Sequence, residues 1–330
     1  MSVLAALKPE FHMAFPRLAS GKYVHFFMVR YSQSFPVFQT DGNLNIARTQ
    51  AGLNAEDENS RRTISRLVMF KRKQVTPERL VGRQLLRSLE FASVVEGEDS
   101  FCDYSGEKSC KKCPDCILYG FAIGARGSER SKVYSDSAFS LSSYESSHRN
   151  FTFNAPFEGG TMSEKGKMRN AINELDHILP EVSFPSIETL RDPTFEGFIY
   201  VLGNLLRTRR YGAQESRTGA MANHIVGIVF GDGEVFSNLY FTQALYDVLK
   251  AKESINAPIN QIRMEAAIVV DNLLNQEPVR IRKKIFSSEL DSLLEEVIGI
   301  YQDEAKLRVT LTALCQQTQT YAQTYGAFAG

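Results

Sequence analysis

Four cysteines stand close together: Cys102, Cys110, Cys113 and Cys116, separated by seven, two and two residues. Four thiolates satisfy one tetrahedral Zn²⁺ and leave no open position, so such a site holds structure rather than activating water. The surrounding segment has few apolar residues, and a bound metal can supply folding free energy directly. Lys108, Lys111 and Lys112 lie beside the thiols and would offset the charge of a four-thiolate centre. Two other states stay open. An iron–sulfur cluster shares the C-x2-C-x2-C start, although the fourth cysteine and proline of that spacing are missing; the other is a set of free thiols. Cys315 stands alone on a helical pattern and reads as a core thiol.

The other chemistry is cationic. The chain is neutral, with 38 Lys plus Arg against 38 Asp plus Glu, but the signs are segregated. Arg61, Arg62, Arg66, Lys71, Arg72, Lys73, Arg79, Arg83 and Arg87 are opposed only by Glu78 and Glu90. Arg207, Arg209, Arg210 and Arg217 are interleaved with Tyr211, Gly212 and Gly219. Arg126, Arg130 and Lys132 occupy a glycine-containing loop pattern, and Arg280, Arg282, Lys283 and Lys284 form a further group. Arginine forks two phosphate oxygens, tyrosine stacks on bases, and glycine lets a backbone come close to a phosphate. Each group alone is an ordinary solvated loop; together they point to a polyanion. Catalytic patterns fail. Gly160-x5-Gly166-Lys167-Met168 has one residue too many for a P-loop and lacks its hydroxyl, and the five histidines form no local ligand pair.

Elements must position these groups. Residues 23–31 read as a central strand and 224–230 as a buried strand. Phe35 to Thr40 reads as a short strand before an Asp41-Gly42 turn. Thr76-Pro77-Glu78 looks like a helix start, with the helix running to about Phe91. Val81, Leu85 and Leu89 would face the core, leaving Arg79, Arg83 and Arg87 facing outward. Residues 168–180 are expected to be helical, and Phe195 to Leu206 to form a strand. Ser288-x-x-Asp291 resembles a capping box in a helical C-terminal hundred residues. The expected class is α+β, and an RRM-like or ferredoxin-like sheet with insertions fits the order. No apolar run reaches the length of a membrane span, and no signal peptide is read, which points to the cytoplasm.

The run from CILYGFAIGARGSERSKVYSDSAFSL through FNAPFEGGTM to LLRTRRYGAQESRTGAMANHIVGIVF and FSNLYFTQALYDVL resembles one family. It is the Csc-two branch of the Cas-seven superfamily, the backbone subunit of type I-D CRISPR surveillance complexes. The likeness spans about Tyr23 to Leu249. It implies one RRM-like core over 1–330 with inserted zinc, lid or thumb, and helical subdomains. The zinc insertion would be 96–149, the basic segment and amphipathic helix 61–91, and the mainly helical C-terminal part 234–330. It implies copies stacked head to tail along a guide RNA (crRNA), each gripping the RNA backbone without sequence preference while the guide pairs with target nucleic acid in antiviral defence. The implied partners are a large subunit, a Cas-five-type cap, a Cas-six-type RNA-processing subunit and a small subunit, with no membrane.

Carried over by residue, Cys102, Cys110, Cys113 and Cys116 become the Zn²⁺ ligands. Arg207, Arg209, Arg210, Tyr211 and Arg217 become guide-RNA contacts. Arg126, Arg130 and Lys132 join them, as do Arg61, Arg62, Arg66, Lys71, Arg72 and Lys73. The implied role is a non-catalytic scaffold. Two alternatives stand beside it. One is a nuclease acting through a loop aspartate such as Asp41, around which the flanking motif of cleaving relatives is not recognisable. The other is a zinc-stabilised protein-interaction module unrelated to RNA.

Overall fold

The computed structural model describes the chain except residues 1, 41, 55–56, 92–101, 104–107, 125–126, 154–162, 165–166, 169–172, 214–217 and 327–330. In chain order its main elements begin with β1 (Tyr23–Ser32), β2 (Ile46–Gln50), β3 (Thr63–Met69), α1 (Lys71–Ser88) and α2 (Pro114–Tyr119). Next come β4 (Val133–Ser135), β5 (Ala138–Phe139), β6 (Ser183–Arg191), α3 (Phe195–Arg207) and β7 (Met221–Gly231). The C-terminal part holds α4 (Asn238–Ala251), α5 (Ile259–Leu274), β8 (Ile281–Ile285), α6 (Ser287–Gln302) and α7 (Glu304–Tyr325).

The main sheet has the strand order β8-β7-β1-β6-β4, antiparallel throughout. Aromatic and β-branched residues without a breaker make β1 its centre, as its sequence leads one to expect. Its alternate side chains enter two separate cores. Phe26 and Met28 join Leu85, Phe198, Ile225 and Ile228 beneath α1 and α3. Phe27 and Val29 join Val226, Val229, Phe241 and Ala266 beneath α4 and α5. Without β8, the connection runs β1-α1-β4-β6-α3-β7. Helices thus pack on both faces of the main sheet, while β2, β3 and β5 form a separate three-stranded sheet that carries Arg66.

Several expectations from the sequence are corrected. Phe195–Arg207 is a helix, capped by the Thr194 side chain accepting from the Gly197 amide. Nearly every side is buried, including Asn204 on its more polar face. Asn173–Ile178 is a strand paired with His148–Phe153, not part of a helix; the remainder of 169–172 lies outside the described residues. α1 starts at Lys71 with Pro77 inside it. Its early start is anchored by buried Gln74, whose amide donates to the carbonyls of Met69 and Asp136 at 2.8 and 2.7 Å. The helix near Ser288 begins at Ser287 with Phe286 as its cap residue, so no capping box forms. Gly82 has a packing role, because a Cβ there would lie 2.4 Å from the Tyr200 hydroxyl, where α1 meets α3.

One buried histidine gives a pH prediction. The Gly233 carbonyl can only accept, so His25 Nε2 carries the proton and donates to it at 3.0 Å, while Nδ1 accepts from the Thr189 hydroxyl at 2.8 Å. Burial lowers the pKa of this ring to about 4. The unfolded chain titrates near 6.5 and therefore binds the extra proton in the window between the two values. Stability should fall as pH drops from 6.5 to about 4 and then level off, by at most about 3 kcal/mol. His25→Gln should flatten the dependence of Tm on pH in that window; an unchanged slope would refute the assignment.

Candidate metal centre and cationic surface

The four thiols come from one loop and the first turn of α2. Cys113 caps that helix, Pro114 occupies its first position and Cys116 lies one turn in. All four cysteines are buried, and their sulfurs lie within 4.8 Å of one another. Cys102 Sγ is 3.5 Å from Cys116 Sγ and 3.9 Å from Cys113 Sγ, and Cys110 Sγ is 3.9 Å from Cys116 Sγ. A tetrahedron with metal–sulfur bonds of about 2.3 Å has edges of about 3.8 Å. The spacing fits a single ion. It is too short for a multi-iron cube, whose thiolates each bind a different iron. Backbone amides support the thiolates: Cys110 N–H donates to Cys102 Sγ at 3.2 Å and Cys113 N–H to Cys110 Sγ at 3.3 Å.

The nearest counter-charge comes from α1. Arg83 donates from Nη1 to the Cys102 carbonyl at 2.9 Å and to Cys102 Sγ at 3.5 Å. Its Nε donates to Asp115 Oδ2 at 2.6 Å. Arg79 forks the same carboxylate, at 3.1 Å to Oδ1 and 2.7 Å to Oδ2. Burial opposes the charge on Arg83, but Asp115 and the thiols outweigh it and hold the guanidinium more firmly protonated than usual. The expected outward arginine face of α1 is thereby corrected. Arg79 and Arg83 point inward and tie the helix to the thiol loop, where Asp115 lies completely buried. A four-thiolate ion would carry a net charge of −2, of which this Arg–Asp–Arg group offsets about one unit. Lys111 and Lys112 are only partly buried, and Lys108 is exposed.

The remaining cationic residues divide sharply. Arg61, Arg62, Lys71, Arg72, Arg130, Arg207, Arg209 and Arg210 are exposed, and Lys73 is half-buried. Arg126, Arg217 and the catalytic candidate Asp41 lie outside the described residues. Three expected contacts are core residues instead. Arg66 is fully buried, donates to the carbonyls of Ala51, Ser140 and Leu141, and stacks on Tyr246. Lys132 is held by Glu129 at 2.9 Å and the Ile117 carbonyl at 3.0 Å. Tyr211 has no exposed surface; its hydroxyl donates to Glu78 Oε1 at 2.9 Å and accepts from Asn223 Nδ2 at 2.6 Å. With no free face, Tyr211 cannot stack on a base. The neighbouring glycines serve the chain's own backbone. A Cβ at Gly212 would lie 2.5 Å from the Val37 carbonyl oxygen, and one at Gly219 would lie 2.4 Å from that of Tyr211.

A family profile described as Csc2 CRISPR matches residues 10–311. The chain belongs to the Csc2 CRISPR family. The profile reaches beyond the span of the sequence resemblance at both ends. Among solved structures, the Csc2 of Thermofilum pendens is similar in fold, with a TM-score of 0.61 at 12% identity over 98% of each chain. Chains of a CRISPR RNA-guided surveillance complex, and of one in a pre-nicking state, superpose more loosely. Their TM-scores are 0.47 and 0.49 at 10% identity, covering 81% of this chain and 89% and 92% of theirs. No curated protein matches the chain.

This Csc2 chain also contains a buried ionic cluster that sequence reasoning missed. Arg30, on β1, has no exposed surface. It meets Glu78 Oε1 at 2.9 Å, Glu188 Oε2 at 3.5 Å, Gln74 Oε1 at 3.2 Å and Asn223 Oδ1 at 3.1 Å. The cluster joins β1, β6 and β7 to α1 and holds Tyr211 from within. The available signal was Glu78, a lone acid within a strongly basic helix. Among the described residues, no helix is long and apolar enough to cross a membrane.

Proposed function

We propose that this chain is the guide-RNA-binding backbone subunit of a type I-D CRISPR surveillance complex, a non-catalytic scaffold that grips phosphates and leaves bases free to pair. Family membership over residues 10–311 carries this conclusion. The β1-α1-β4-β6-α3-β7 path supports an RRM-like core, because it has the β-α-β-β-α-β order of that motif. In that reading α1 and β4 belong to the core, so the added parts are the segment before α1 within 61–91, the thiol region 96–149 apart from β4, and the C-terminal 234–330. Zn²⁺ is the ion proposed for the four thiols, with a structural role. Copies would associate head to tail in the cytoplasm with the large, cap, RNA-processing and small subunits.

Arg207, Arg209 and Arg210 supply the proposed grip. They are exposed at the end of α3 and in the segment that pairs beside β7. Arg210 Nη1 donates to the Thr218 carbonyl at 3.1 Å, which aims its fork. The double variant Arg209→Ala/Arg210→Ala should weaken binding to unrelated single strands by similar factors. It should also reduce the slope of log affinity against log salt by roughly 1.4, at about 0.7 per phosphate contact. Loss confined to one sequence, or an unchanged slope, would overturn the backbone grip. Titration of labelled RNA at several salt concentrations measures both.

A further inference from the structure

Beside Arg209, the end of the main sheet presents two aromatic rings that the phosphate grip does not use. Arg30 points into the core under α1 and α3, so strand alternation sends Tyr31 to the opposite face. On the paired strand β7, Asn223 likewise points inward to Arg30 and His224 outward. Tyr31 and His224 are half-buried and meet edge to face, with ring centroids 6.1 Å apart and planes at 69°.

Two cations lie near His224. Arg209 is exposed, and both Arg209 and Arg263 of α5 act on His224 electrostatically. Together with burial they lower the pKa of that ring to about 4, so at neutral pH it is an uncharged aromatic surface. Arg263 Nε has no hydrogen-bond partner among the described residues. It lines a cleft of about 310 Å³ with Val226, Met264, Ser287, Leu290 and Asp291. A plain anion would use the guanidinium groups but not the rings. An apolar ligand would use the rings but not the cations. A nucleotide strand uses both, since bases offer flat π-faces joined by phosphates.

We propose that Tyr31 and His224 form a base-stacking step within the RNA grip, with Arg209 and Arg263 holding the phosphates on either side. The inference rests on the guide-RNA reading above. It adds a contact that is indifferent to sequence, because every base has a π-face, and also indifferent to salt, because stacking releases no counterions.

That difference provides the test. Affinity for a single-stranded RNA carrying 2-aminopurine is measured across a salt series for the full chain and its variants. Tyr31→Ala and His224→Ala should each weaken binding roughly 5- to 100-fold. The salt slope should stay at the wild-type value. Arg209→Ala and Arg263→Ala should each lower the slope by roughly 0.7. Wild-type protein should quench 2-aminopurine, Tyr31→Phe should retain the quenching, and Tyr31→Leu, which fills the same space without a π-face, should lose it. If Tyr31→Ala fails to fold, Tyr31→Leu carries the comparison. Wild-type affinity and quenching in Tyr31→Leu would overturn the stacking step. Competition by polyglutamate as effective as by RNA would overturn it in favour of an acidic protein partner. A wild-type chain that binds no RNA at all would instead sink the guide-RNA reading.

Discussion

Cys116→Ser is expected to abolish the metal site and with it the soluble folded chain. Cys116 is completely buried, lies 3.5 Å from Cys102 Sγ, and sits in the same short helix as Asp115. A structural Zn²⁺ contributes on the order of 10 kcal/mol to folding in small zinc domains. Whole-protein stability is typically about 5–15 kcal/mol, so loss of the ion removes a comparable amount. The damage should extend beyond the loop, because Arg83 and Arg79 of α1 are positioned by groups that the ion organises. Elemental analysis of purified protein should give about one zinc per chain. Chelation under mild denaturant should lower Tm, and added Zn²⁺ should restore it. A Cys116→Ser chain with full metal content and an unmoved Tm would refute the site. Arg83→Ala is expected to retain the ion but weaken its hold, since it leaves Asp115 facing the thiolates with only Arg79 as its partner.

The second large effect is expected at Arg30. Its guanidinium is the cation that lies within ion-pair distance of two buried carboxyl groups, Glu78 and Glu188. Burial disfavours charge on Arg30, yet Glu78 and Glu188 more than compensate and keep it protonated. Burial, and then the neighbouring Glu78, push the pKa of Glu188 well above its ordinary value, against the pull of Arg30. Arg30→Ala would strand a buried carboxylate, at a cost of about 3–5 kcal/mol. At 2–4 °C per kcal/mol this is a fall in Tm on the order of 10 °C. Tyr211→Phe removes one donor to Glu78 and one acceptor for Asn223 Nδ2, which keeps the Leu205 carbonyl, and should cost about 1–3 kcal/mol. Thermal melts of the two variants check the ranking; an Arg30→Ala chain as stable as Tyr211→Phe would contradict the charge assignment.

The parts legible in the sequence were those whose signal is local. The cysteine spacing needs no knowledge of the fold, and β1 and β7 declare themselves by segments rich in β-branched and aromatic residues. The destination of the arginines was not legible. Arg79 and Arg83 have the spacing of a solvated helix face, and only Asp115, more than thirty positions away, turns them inward. Tyr211 sits among glycines and arginines as an exposed loop tyrosine would, yet Glu78 and Asn223 draw it into the core. α3 was misread although Glu196, Gly203, Asn204 and Arg207 recur on one helical face, because the apolar run between them reads equally as a buried strand. Asn173–Ile178 was expected to be helical, and its pairing with His148–Phe153 is not visible in the local sequence.

β8 has a consequence for how such chains can associate. It is one outer border of the main sheet, and it carries Arg282, Lys283 and Lys284, which pair with Glu10, Glu289 and Asp271. The other border, β4, is only three residues long. Lysine-rich and very short borders resist the addition of a foreign strand. Both borders of the main sheet are thus closed to strand addition, and any contact with another chain is left to side-chain surfaces.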